Sequence, residues 1–124
     1  TLAPHLAEAR VFANCLVFGA GSSLKVLEAL AAGVPLVSTR AGVRGFALTA
    51  DEHFLPAETP AEFATEILRC LAAPASELQP RALAGRVFAE SHSWQSLSER
   101  FAALTERAAS SPVSAAAVPQ VARA

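Results

Sequence analysis

Lys25 and Glu28 stand three residues apart just after Gly19-Ala20-Gly21-Ser22-Ser23, and an ammonium and a carboxylate so placed suit the two halves of a nucleotide. A glycine turn leading from a strand into a helix gathers backbone N–H groups and the positive end of the helix dipole at one place, where a phosphate binds. The N–H groups of residues 21–23, a hydroxyl from Ser22 or Ser23, and the Lys25 ammonium would together hold a diphosphate. Glu28 lies about 4.5 Å further along a helix axis. From there a carboxylate can accept both hydroxyls of a ribose whose phosphate sits at the turn. Each residue also has a plainer reading. Lys25 can be a solvated side chain paired with Glu28 at i,i+3, worth about 0.2–0.5 kcal/mol, and Glu28 a surface acid ahead of an apolar helix face.

Holding these groups takes a strand before the turn and a helix after it, and the pattern predicts both. Residues 11–18 are apolar at nearly every position, the mark of a strand covered on both faces in a parallel sheet. Over residues 23–32, Leu24, Leu27, Leu30 and Ala31 recur at helical spacing, and Gly33 supplies a left-handed stop. Residues 34–38 then predict a short strand, which completes a right-handed βαβ unit. Upstream, residues 4–9 read as the end of a helix with Leu6 facing inward.

Downstream, residues 39–45 read as a loop with Gly42 and Gly45. Arg44 in that loop follows a strand at the edge where α/β sheets bind ligands, and it reads as a ligand contact or a surface residue. Short strands are expected at residues 46–48 and 53–55. Thr59 as N-cap and Pro60 at the first position predict a helix to about Ala72, with Phe63, Ile67 and Leu71 inward. Further helices are expected over residues 80–91 and, opening at Trp94 as a buried anchor, to about Arg107. Residues 108–124 hold Ala, Ser, Pro and Val without periodicity and are expected to be disordered. The fold class is thus α/β, a partial Rossmann-like parallel sheet flanked by helices.

The 124 residues carry a net charge of -1 with Lys25 the single lysine, so no basic footprint for nucleic acid exists. No apolar run reaches the roughly 18–20 residues that span a bilayer, and the expected location is cytoplasmic. Cys15 and Cys70 lack metal-ligand spacing and read as reduced structural thiols. His5, His53 and His92 are scattered without triad spacing, and Asp51-Glu52 reads as a solvated pair; no metal is expected. With no methionine anywhere, a chain beginning Thr1-Leu2-Ala3 is expected to be processed or a piece of something longer.

Phe18-Gly19-Ala20-Gly21, the run from Leu24-Lys25-Val26-Leu27-Glu28 through Ala32-Gly33-Val34-Pro35 to Thr39, and Gly42-Val43-Arg44-Gly45 resemble the nucleotide-sugar-binding segment of group 1 glycosyltransferases of the GT-B fold. The likeness continues through Pro60-Ala61-Glu62-Phe63 and Ser93-Trp94, covering about residues 3–107. It implies a donor site in which Lys25 contacts the diphosphate and acts on the leaving group, Glu28 binds the ribose, and Gly19, Gly21 and Ser22 lie close to the sugar phosphate. The donor would be a substrate, with no further cofactor. Three departures accompany it. Many relatives carry a P-L-R run whose arginine is a second diphosphate contact, and here Cys15-Leu16-Val17 stand in its place. The first of two glutamates in the better-known motif falls on Ala20. GT-B enzymes also have two Rossmann-like domains, with the acceptor in the first, and this chain corresponds to the last part of the second. Residues 1–107 are therefore expected to be a partial nucleotide-sugar-binding domain, inactive without an N-terminal acceptor domain.

Two other functions fit parts of the pattern. Gly19-x-Gly21 opening a helix, with Arg40 after the next strand, suits an NADP-dependent oxidoreductase, but Leu24 replaces the third glycine of that fingerprint. A truncated or degenerate non-catalytic domain is the other alternative, since the first strand would leave an open sheet edge.

Overall fold

Leu36 and Val37 point to opposite faces of a three-stranded sheet, both fully buried, and a core forms around each. The computed structural model describes residues 2–19 and 21–110. Strands β1 (Phe12–Asn14), β2 (Leu36–Ser38) and β3 (Leu55–Pro56) lie in that order, all parallel. Phe12 pairs with Leu36 and Asn14 with Ser38, while Val37 pairs with Leu55. Because side chains alternate along a strand, this register sends Leu36 and Phe54 to one face and Val37 and Leu55 to the other.

On the first face, α2 (Leu24–Ala31) and α4 (Ala75–Glu90) contribute Val26, Leu30 and Ala89 to the cluster around Leu36. Burying one such Leu is worth about 1.5–3 kcal/mol. The two helices pack closely because Gly85 has no side chain: a Cβ there would stand 2.8 Å from Leu30 Cδ2. Beside them, α1 (Ala3–Glu8) places Leu6 against Ala29 and Val34. The opposite face is covered by α3 (Pro60–Ala72), whose Phe63 and Cys70 pack on Val37 and Leu55. Thr59 and Glu62 start α3 with a reciprocal capping box.

The α/β class, the helix–strand alternation and the Thr59–Pro60 helix start are as the sequence predicts. Several boundaries differ. The first strand stops at Asn14, not Phe18, because its partner β2 turns away after Ser38; beyond it Val17 and Phe18 are exposed. Residues 46–48 form no strand; Phe46 and Leu48 instead pack their side chains on the first core. In α3 the inward stripe runs through Phe63, Ile67 and Cys70, with Leu71 exposed. Helix α4 begins five residues earlier than expected and contains Pro80 in its second turn. Cys15 is exposed, leaving Cys70 as the buried thiol.

Residues 2–93 belong to one compact unit; a second begins at Trp94, and its described part is α5 (Trp94–Ser110). This helix runs three residues past Arg107, and Trp94 is exposed, so it is not the buried anchor expected from sequence. The disorder expected for the tail concerns residues 111–124, which lie outside those described. No helix among the described residues is long and apolar enough to cross a membrane.

Candidate functional site

Two loops leave the C-terminal edge of the sheet side by side: residues 15–19 and 21–23 after β1, and residues 39–48 after β2. Buried polar groups tie them together. Asn14 Nδ2 donates to the Gly42 carbonyl at 3.0 Å, and the Asn14 carbonyl accepts from the Thr39 N–H at 3.3 Å and the Ser38 hydroxyl at 3.3 Å. The Thr39 hydroxyl donates to the Leu16 carbonyl and accepts from the Gly42 N–H. Asn14, Ser38 and Thr39 are buried with their side chains hydrogen-bonded, so the network fixes where both loops start.

Above this floor the second loop leans on the glycine turn. A Cβ on Gly45 would stand 2.5 Å from Ser22 Oγ, and one on Gly19 would stand 3.2 Å from Arg44 Nη2. Helix α2 then starts at Leu24 with Ser23 in the N-cap position. The Ser23 side chain makes no capping bond, and its Oγ is buried without a partner among the described residues. The first N–H groups of α2 therefore have no side-chain cap from Ser23.

Lys25 is exposed in the first turn of α2, where the helix dipole disfavours a cation unless an anion is close. Glu28 is exposed one turn on and borders a groove of about 650 Å³ between α1 and α2, lined also by Leu2, Leu6 and Ala32. No ion pair joins Lys25 to Glu28 among the described residues, so the two do not neutralise each other. The structure thus sets Gly19, Gly21 and Ser22 in the loop ahead of α2, Lys25 in the first turn of that helix, and Glu28 one turn on, at the groove.

Other residues weighed from sequence lie elsewhere. His5 is exposed, and His53 and His92 are half-buried; His53 Nδ1 accepts from the Thr49 N–H at 3.0 Å. Asp51 and Glu52 are exposed. Arg40 is exposed after β2, with its N–H on Glu58 Oε1 at 2.8 Å. Among the described residues no three His, Cys, Asp or Glu side chains gather as a metal site. Sequence reasoning missed Asn14 and Thr39, although a lone amide in an apolar strand is the signal of a buried polar tie.

Compared with curated proteins, the chain finds no match. The family model of the glycosyl transferases group 1 matches residues 1–73, from α1 through the two loops and Glu28 to the end of α3. A match over more than half of the chain, with the glycine turn, Lys25 and Glu28 inside it, places the protein in a family: the chain belongs to the glycosyl transferases group 1.

Proposed function

We propose that the glycine turn binds the diphosphate of a nucleotide sugar and that the chain is the donor-binding part of a GT-B glycosyltransferase. The supporting observation is an exposed Lys25, without an ion-pair partner among the described residues, in the first turn of a helix whose N-cap Ser23 makes no side-chain capping bond. In this reading Gly21, with nothing within 4 Å of where its side chain would begin, leaves room for the phosphates to approach the backbone, and Gly19 and Ser22 flank it. Lys25 stabilises the charge that builds on the nucleoside diphosphate as the glycosidic bond breaks. Glu28 accepts the ribose hydroxyls. The glycosyl group passes to an acceptor held by a separate N-terminal domain, and the donor is a substrate that needs no metal from this chain.

Calorimetric titration of the full chain with UDP, GDP and ADP, each alone and as a nucleotide sugar, tests this. Saturable binding of at least one, weakened about tenfold or more in Lys25→Ala, is expected for the loss of a charge-assisted hydrogen bond. No binding of any of them, or full affinity in the variant, overturns the assignment.

A further inference from the structure

We infer that Arg44 supplies the second cation for the diphosphate, reaching the glycine turn from the loop after β2. The inference rests on the nucleotide-sugar reading above and assigns a binding residue to it. One terminal guanidinium nitrogen of Arg44 lies 3.2 Å from the point where a Cβ of Gly19 would be, so the fork covers the turn itself. Among the described residues its Nε, which is buried, has no hydrogen-bond partner, and no carboxylate stands at ion-pair distance from the guanidinium. A buried donor on a permanent cation is costly to leave unmet, by about 1–3 kcal/mol or more. The guanidinium charge is delocalised over its three nitrogens, so a phosphate at the terminal nitrogens over Gly19 would balance it.

The demand exists on the ligand side as well. A diphosphate carries more charge than one ammonium balances, and the segment that enters the turn, Cys15-Leu16-Val17-Phe18, holds no cation. Arg44 is positioned for the task. Its loop is fixed at one end by the Thr39 and Gly42 bonds and at the other by the contact of Gly45 with Ser22. A planar guanidinium presents paired N–H donors that match two phosphate oxygens, which an ammonium does not.

The test titrates the full chain, Arg44→Met, Arg44→Lys and Lys25→Ala with inorganic pyrophosphate and with UDP, GDP and ADP at several salt concentrations, after thermal melts of each. Arg44→Met is expected to weaken pyrophosphate and any binding nucleotide about 10- to 100-fold and to flatten the salt dependence; Arg44→Lys should recover part of the loss. In parallel, phenylglyoxal labelling of Arg44 in the unmodified sequence, read by mass spectrometry, should be slowed by pyrophosphate. That second measurement decides the matter if Arg44→Met fails to fold. Wild-type affinity and salt dependence in Arg44→Met, with Lys25→Ala impaired, would overturn the role of Arg44 and leave the nucleotide reading standing. Labelling unaffected by pyrophosphate that binds would do the same. Failure of the unmodified chain to bind any of the probes would remove both.

Discussion

Gly45 backs onto Ser22 so closely that the smallest side chain on it would press within 2.5 Å of the Ser22 hydroxyl. The loop after β2 therefore forms one wall of the glycine turn, and whatever binds at the turn meets both loops. This contact couples Arg44 to the start of α2, since Gly45 is its direct neighbour.

Substituting Gly45 with alanine tests that coupling. Gly45 has φ 90, a backbone conformation that costs a side chain about 1–3 kcal/mol, and the added methyl also collides with Ser22. Gly45→Ala should lower stability by about that amount in urea titration and should weaken pyrophosphate binding at the same time. Gly21→Ala carries a similar strain at φ 81, yet nothing lies within 4 Å of its added methyl, so its cost should be conformational only. A cost for Gly45→Ala no greater than that for Gly21→Ala would show that the loops move independently.

Much of this arrangement is legible in the residues themselves. Apolar spacing around Leu27 and Leu30 marks α2, and Thr59, Pro60 and Glu62 mark the start of α3. What the pattern hides is pairing. Residues 11–18 carry a strand signal throughout, but a ladder extends only as far as its neighbour, and β2 leaves after Ser38. Nor does local sequence reveal that Arg44 reaches back over Gly19, a contact between residues 25 apart that depends on the buried Thr39 and Asn14 bonds. For the same reason Pro80 reads as a helix start, whereas α4 runs through it with neighbours on both faces of the sheet.

The α3 capping box predicts an acid-sensitive helix start. The Glu58 N–H, first, and the Thr59 N–H donate to the Glu62 carboxylate at 2.7 Å and 2.9 Å and hold its pKa below the ordinary glutamate value. The native state therefore binds fewer protons than the unfolded chain in that window. Its stabilisation is present above the unfolded glutamate value and fades as pH falls through the lowered one. Glu62→Gln should flatten the pH dependence of stability between neutral pH and about pH 3, the range in which carboxylates titrate. An unchanged pH profile in the variant would mean that the box contributes nothing to folding.

The two thiols should differ sharply in reactivity. Burial pushes the Cys70 thiol up, and the positive charge of Arg81 only partly offsets it, while Cys15 is exposed beside the glycine turn. Iodoacetamide at mildly alkaline pH should label Cys15 in the native chain and Cys70 only after denaturation. Native labelling of Cys70 at a rate close to that of Cys15 would show that α3 opens readily from the sheet.

Glu28 offers the sharpest separation of the two halves of the proposed ligand. It lies on α2 about one turn past the helix N-terminus and borders the groove with Leu2 and Leu6, which in the proposed donor site puts it beyond the phosphates, at the ribose. Glu28→Gln keeps the size of the side chain but weakens it as an acceptor for ribose hydroxyls. The variant should bind a nucleoside diphosphate about tenfold or more weakly, in keeping with a hydrogen bond to a charged group, and should bind inorganic pyrophosphate as the parent chain does. Both affinities are readable in one set of calorimetric titrations. A matching loss for both ligands would mean that Glu28 acts through the charge balance at the helix start, and the ribose assignment would fall.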